Sequence, residues 1–393
     1  MSTPTQIKQN LGRVPGKWWG MVVYLGLLVL SACFPIFSGL EQLTKQKPVK
    51  VPAFDFKGDK VTRTNREIGV YFNVYGQNRK GEVYRHFDFK WEHDGSKPVL
   101  IYLHRAPWDA RSSQFCRKLA ESGQVTVIEP FLPGFALSPG NVPSHSMEAN
   151  AEVVAAVAEY LGVKEYHVLG QGLGGVAALE LAAAHPDRVK SLTMLSAPGA
   201  QEFELLGNPL VNKIVYGFQG AFFWGVSRLT PNFGAVDLLP WDRDYAATVF
   251  DTDLSDSKKI LFGWRKPLLI VHGQDDWLTP AQAATYSAQL APQAKLVMLP
   301  GGRDVVFAEQ DKVAAEVVAF VLAPPAATVA APAEYPPLPS AAGAHYWILL
   351  VIIIVCTFVA EDPTCLATGL MVAVGIIDFW SGAAACTVGI FIG

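Results

Sequence analysis

Charge is scarce in this chain of 393 residues: Asp, Glu, Lys and Arg make up 17% of it and leave a net −3, against about 25% charged residues in ordinary soluble domains. Without an excess of positive charge, there is no electrostatic case for nucleic-acid binding. Cysteine is scarcer still. Of five cysteines, Cys33, Cys356, Cys365 and Cys386 fall in the two apolar ends, so Cys116 stands alone between them. One thiol builds neither a disulfide framework nor a thiolate metal site, and no metal centre is expected. The shortage of charge is also local. Trp18 to Leu40 contains no charged residue and Tyr346 to Gly393 only Glu361, Asp362 and Asp378, which leaves the rest of the chain with an ordinary composition.

What is present at the N-terminal end is an uncharged run of 23 residues, 18–40, behind a tail of residues 1–17. It is long enough for a hydrocarbon core of about 30 Å and opens with Trp18 and Trp19, as a transmembrane signal anchor does. Leu30-Ser31-Ala32-Cys33 also spells a lipoprotein cleavage site, which would lipidate Cys33. Lys8, Arg13 and Lys17 precede the run and Lys45, Lys47 and Lys50 follow it, so sidedness stays open, with an extracytoplasmic main domain as one option. Either route tethers the chain to a membrane, so the bilayer is an expected partner, and with apolar runs at both ends an integral membrane protein is expected.

At the other end, Tyr346–Ala360 and Thr364–Ile377 are short apolar runs separated by Glu361-Asp362-Pro363, with a third run from Phe379. Such paired, broken segments suggest re-entrant or discontinuous helices. The stretch from Glu361-Asp362-Pro363 through Gly369, Gly375 and Gly389 to Gly393 resembles the opening of the DedA-like (VTT) membrane family. That resemblance implies lipid handling, with the remainder of such a domain expected beyond Gly393; a tail that only anchors is the other reading. Residues 324–345, with six prolines among alanines, read as a semi-rigid linker.

Between the ends, residues 51–323 alternate strand-like and helical segments. Val99–Leu103, Val125–Ile128, Tyr166–Leu169, Val189–Leu195, Leu268–Val271 and Lys295–Leu299 are short buried-type strands. Ser112–Glu121, Ala149–Leu161, Val176–Ala184, Pro280–Leu290 and Lys312–Val321 are helical. This pattern predicts an α/β fold with a doubly wound, mostly parallel sheet. Ile68–Tyr75 and Val83–Trp91 alternate like antiparallel edge strands, and 201–264 reads as an inserted cap.

Tyr166-His167-Val168-Leu169 runs into Gly170-Gln171-Gly172-Leu173-Gly174-Gly175 and an alanine-rich segment ending Ala-Ala-Ala-His-Pro-Asp-Arg-Val. With His104, the Pro133-Gly134-Phe135 turn and His272-Gly273-Gln274-Asp275-Asp276 in order, residues 98–322 resemble the α/β-hydrolase superfamily. The resemblance implies a nucleophile elbow at 170–174, an acid position at Asp276 (Asp275 fits the spacing less well), and a former base position now filled by Arg303 or Asp304. Active members read G-x-S-x-G there. Here Gly172 holds the serine position, and a residue without a side chain forms no acyl-enzyme. No histidine follows Asp276 except His345, beside the C-terminal apolar run. The oxyanion loop, His-Gly-x-Pro-Gly in the family, is His104-Arg105-Ala106-Pro107-Trp108, with two bulky residues for two glycines.

The expectation is therefore a membrane-tethered, catalytically degenerate binding or accessory module, as in N-myc-downstream-regulated-like proteins. Its pocket is formed by His104, Arg105, Ala106, Gln171 and Leu173 and suits a small apolar or ester-like ligand. An arginine, Arg105 or Arg303, is expected to pair with Asp276 or Asp304 where the triad has decayed. The alternative is an anchored esterase or lipase-like hydrolase with a non-standard site, for which Ser138, Ser144 and Ser146 are the nearby hydroxyls. Gly170, Gly172 and Gly175 also spell the dinucleotide fingerprint, but the next strand ends Met194-Leu195-Ser196-Ala197 without the acid that would hold a ribose, so no cofactor is expected.

Overall fold

The computed structural model describes residues 16–34, 48–57, 60–77, 83–86, 95–204, 207, 209–239, 241–325, 332, 334–341, 343–359, 361–373 and 375–392. In chain order the elements are helix α1 (Gly16–Cys33), strands β1 (Val49–Lys57), β2 (Lys60–Val70), β3 (Phe72–Gln77), β4 (Val83–His86) and β5 (Val99–Leu103), helix α2 (Ala110–Ala120), β6 (Thr126–Pro130), α3 (Met147–Tyr160), β7 (Tyr166–Gln171), α4 (Leu173–Ala184) and β8 (Val189–Leu195). The cap follows as α5 (Pro209–Leu229), α6 (Arg243–Asp251) and α7 (Ser257–Gly263). Then come β9 (Leu268–Gly273), α8 (Ala281–Leu290), β10 (Lys295–Leu299), α9 (Val305–Ala308) and α10 (Gln310–Leu322), and finally α11 (Gly343–Val359), α12 (Glu361–Ala373) and α13 (Phe379–Ile392).

The main sheet has the order β10-β9-β8-β7-β5-β6-β3-β4, parallel from β10 through β6, with β3 and β4 antiparallel at one edge. Its central strands are buried on both faces. Val99 to Leu103 is buried at every position, which is why its sequence is a continuous apolar run. Side chains of α3, α4 and α8 pack on one face of the sheet, and those of α2 and α10, including Phe115, Leu119, Val317 and Phe320, on the other. All the loops that matter chemically leave the C-terminal ends of β5, β7, β9 and β10, the side on which open α/β sheets hold their ligands.

Ile68–Tyr75 is not one strand. The chain divides at Tyr71, whose carbonyl accepts from Phe131 N at 2.8 Å and whose N–H donates to Ser138 Oγ at 3.0 Å. Those bonds turn it from the separate β1–β2 ribbon, packed on α3 through Val153 and Val157, into the main sheet. The predicted Val83–Trp91 strand is described only over Val83–His86; 87–91 lie outside the described residues. The linker is partly docked: Tyr335 stacks 4.6 Å from the Phe262 ring and Tyr286 Oη donates to Pro336 O at 3.2 Å.

Among the described residues no helix is long and apolar enough to cross a membrane. The predicted anchor is described as the 18 residues of α1; 35–40 lie outside the description. At 1.5 Å per residue the 17 residues of α11 extend about 25 Å, short of a full core. Glu361-Asp362-Pro363 does not interrupt a helix but opens α12, where the acids face the positive end of the helix dipole and proline loses no bond. α13 packs on α11 where a Cβ at Gly389 would lie 2.6 Å from Thr357 Cβ and 2.7 Å from Ile354 O.

Candidate active site

The elbow is present in full. Gly172 sits at φ +56°, ψ −124° between β7 and α4, its N–H donating to Leu195 O at 3.0 Å and its carbonyl accepting from Gly175 N at 3.0 Å. The neighbouring glycines serve packing. A Cβ at Gly170 would lie 2.1 Å from Gly174 O, and one at Gly174 would lie 2.3 Å from the carbonyls of Leu103 and His104. Close contact of α4 with β7 and β5 thus accounts for them without a phosphate ligand.

Arg105 lies over the vacant position. A Cβ built on Gly172 would be 3.2 Å from Arg105 Cβ. The guanidinium is nearly buried and donates to Asp304 Oδ1 at 2.8 Å and to Asp109 Oδ2 at 2.9 Å. Arg111 binds the same two carboxylates, at 2.6 Å to Asp109 and 3.2 Å to Asp304, and both guanidiniums lie over the Phe307 ring. Burial alone would raise the Asp109 carboxyl, but the hydrogen bonds from Arg111 and Arg105 prevail and hold it at about 2. Asp304, pulled the same way by Arg105, is also lowered. An arginine–carboxylate network beside Gly172 is therefore present, formed by Arg105 with Asp304 and Asp109.

Asp276 does not join it. Its Oδ1 accepts the N–H groups of Leu278 and Thr279, both at 3.0 Å, while its buried Oδ2 has no hydrogen-bond partner among the described residues. Arg303 forms no ion pair among the described residues; burial, then Arg105, lowers its pKa against the pull of Asp276. Gln171 is buried, its Oε1 accepting from Tyr102 Oη at 2.7 Å. Ala106 is buried beside Arg105, and Leu173 is half-buried at the start of α4. His104 and His272 are both tied to backbone groups. His104 Nε2 accepts from Leu132 N at 3.1 Å, which leaves Nδ1–H to donate to Arg105 O at 2.8 Å; burial pushes it down to about 4. His272 Nε2 bonds Thr279 O at 2.8 Å, and burial lowers it too.

The three serines are committed elsewhere. Ser138 Oγ holds Tyr71 N, Ser146 caps α3 by accepting from Ala149 N, and Ser144 Oγ accepts from Ser146 N at 3.1 Å. Among the described residues no group of three His, Cys, Asp or Glu is placed to hold a metal. Sequence reasoning missed Asp109, Arg111 and Glu129. Asp109 was readable as an N-cap, since an aspartate directly precedes a helix and accepts from Arg111 N. Glu129 is fully buried at the end of β6, where Asn73 Nδ2 and Tyr75 Oη each donate at 2.9 Å and Ser113 Oγ at 2.8 Å.

Titration of this region sets a pH dependence. Glu180 on α4 is pushed up to about 8 by burial, with repulsion from Glu148 and Asp256. The folded chain keeps a proton there that the unfolded chain releases, so this contribution is whole below the unfolded pKa and is lost as pH rises through about 8. Glu129 and Glu148, also raised by burial, act in the same direction. His104 and His167, both pushed down to about 4 by burial, act oppositely but only below their unfolded value of 6.5. The melting temperature is therefore expected to fall as pH rises from 6.5 to 8, and Glu180→Gln to flatten that slope. Thermal unfolding across the window checks this; a rising wild-type curve or an unchanged slope in the variant counts against it.

The sheet order, the elbow and the loops at the strand ends together define an alpha/beta hydrolase fold. A family model for the alpha/beta hydrolase fold matches residues 108–255. The chain is 26% identical over 239 residues to a bifunctional esterase/perhydrolase of Acinetobacter calcoaceticus, covering 52% of this chain and 84% of that protein. It is 28% identical over 216 residues to a pimeloyl-[acyl-carrier protein] methyl ester esterase of Neisseria meningitidis, covering 49% and 81%. Among solved structures, an esterase from Thermogutta terrifontis aligns with 70% of this chain and 98% of its own at TM-score 0.49 and 20% identity.

Proposed function

We propose that this chain is a membrane-tethered alpha/beta-hydrolase-fold protein that has lost hydrolysis and serves as a binding or accessory module, joined to a DedA-like, lipid-handling membrane region. One observation carries the catalytic half: the elbow ends in Gly172, with Arg105 above it and an ion-pair network where the base belongs. Losing one element leaves room for variant chemistry, whereas losing nucleophile, base and loop glycines together leaves a scaffold. The ligand suited to it is a small apolar or ester-like molecule, contacted by His104, Arg105, Ala106, Gln171 and Leu173. The tether is supported by the apolar side chains exposed along α1 and α11, among them Val23, Leu25, Trp347 and Val351.

The second reading, an anchored hydrolase with a non-standard site, is favoured by the esterases among the relatives and by the free Oδ2 of Asp276. Fluorophosphonate labelling of the full chain separates the two. For the tether, the full chain is expected to stay in the membrane fraction through high-salt and alkaline washes; release would refute it. Cys33→Ala tests lipidation separately, since only that route needs the thiol.

A further inference from the structure

Cap helix α5 carries an apolar stripe that no described part of the chain covers. Ile214, Phe218, Phe222 and Leu229 share one face by their spacing and are 51–75% exposed. The opposite face is used: Asn212 and Tyr216 are buried, and the Tyr216 ring meets that of Tyr245 on α6. No charge interrupts the stripe. Lys213 and Arg228 lie exposed beside it, and α5 contains no Asp or Glu.

Helix α1 meets the end of this stripe. Tyr24 Oη donates to Leu229 O, and Phe233 N donates to Ser31 Oγ at 2.6 Å. On α1 the consecutive residues Met21, Val22, Val23, Tyr24 and Leu25 are each 43–56% exposed, so apolar surface faces outward all round the helix. A protein groove covers one face of a helix; a covering that is apolar on every side is a hydrocarbon phase. The C-terminal helices leave the domain on the same side, because Glu202 and Phe203, just before α5, share a crevice with Leu338 and with Ile376 from the turn between α12 and α13.

We infer that α5 is an interfacial helix that seats the domain on the bilayer with its cap facing the lipid, the apolar stripe in the acyl boundary and Lys213 and Arg228 at anionic headgroups. This rests on the membrane attachment proposed above. Cap helix α6 packs on the loop after β6, where Asp251 Oδ2 accepts from His145 N at 2.7 Å, so with the cap on the lipid the Gly172 site faces the membrane and draws its ligand from there.

The test uses the full chain in vesicles of phosphatidylcholine and phosphatidylglycerol, with Phe218→p-benzoylphenylalanine or Phe222→p-benzoylphenylalanine as photocrosslinking probes and Tyr160→p-benzoylphenylalanine as the exposed control. Lipid adducts, read by mass, are expected at positions 218 and 222 in roughly tenfold excess over 160. No excess of lipid adduct, or a crosslink to a second copy of the chain instead, overturns the proposal. Phe218→Asp combined with Phe222→Asp, both exposed and so compatible with folding, is expected to speed tryptic cleavage at Lys213 several-fold in vesicles; unchanged cleavage also counts against it. An alkaline wash keeps the two ideas apart: a chain released by the wash defeats the attachment, whereas a retained chain without lipid adducts at 218 and 222 defeats only the seating of α5.

Discussion

The purified full-length chain in detergent is expected to hydrolyse p-nitrophenyl esters no faster than buffer and to remain unlabelled by a fluorophosphonate. In serine hydrolases, removing the nucleophile costs about 10⁶ in turnover, and what survives comes from the oxyanion hole and from binding. Here the loop after β5 carries Arg105 and Trp108, and Arg105 is held over Gly172 by Asp304 and Asp109, so on the proposed reading that remaining activity is expected to be absent as well. Gly172→Ser alone is expected to restore nothing. The new hydroxyl has no base, and its Cβ must fit 3.2 Å from Arg105 Cβ at a φ of +56°. A non-glycine residue at this sparsely populated φ, ψ costs about 1–3 kcal/mol, so a fall in melting temperature without a gain in activity is the expected signature. Gly172→Ser with Arg303→His supplies a hydroxyl and an imidazole on the loops after β7 and β10, at the same end of the sheet as Asp276, and turnover in that pair alone would identify the base as limiting. Stoichiometric labelling of the wild-type chain at any residue would refute the loss of hydrolysis.

Glu129→Ala is expected to be the most destabilising single substitution near the site, costing about 3 kcal/mol or more. Its carboxylate takes donors from Asn73, Tyr75 and Ser113, of which Asn73 and Tyr75 are fully buried. Removing the acceptor takes a charge-assisted hydrogen bond from each of the three donors, and the tie between β3, β6 and α2 is broken. Glu129→Gln keeps one oxygen and is expected to cost roughly half as much. Urea unfolding of the detergent-solubilised chain, followed by tryptophan fluorescence, gives both values. Equal, small losses would show that water satisfies the donors.

The strands of the central sheet were legible because burial on both faces demands continuous apolar runs, and Val189–Leu195 and Lys295–Leu299 match to the residue. The elbow was legible for a different reason: glycines at fixed offsets mark close backbone approach. The expectation that an arginine answers Asp304 also holds, through Arg105 rather than Arg303. Other features were hidden because their causes lie far apart in the chain. The break at Tyr71 depends on Ser138, 67 residues on, and Asp304, one of the two carboxylates shared by Arg105 and Arg111, is 199 residues from Arg105. Periodicity reports neighbours along a helix or strand, not partners brought together by the sheet. Asp276 was expected as a candidate partner for arginine, yet its Oδ1 closes its own turn with Leu278 and Thr279.

The glycine at position 172 also bears on how this domain can change over time. In a working elbow an L-residue is held at positive φ, a cost that activity justifies and stability carries. Here the same turn is made by the residue for which that region is free of strain, at φ +56°. On the reading proposed above, the domain keeps the alpha/beta hydrolase fold while recovering free energy that a nucleophile held at positive φ would cost. That margin lets destabilising changes accumulate elsewhere, on the cap and at the strand ends, without unfolding the sheet. Relatives that share the glycine should accordingly vary more in those loops than relatives that retain the serine.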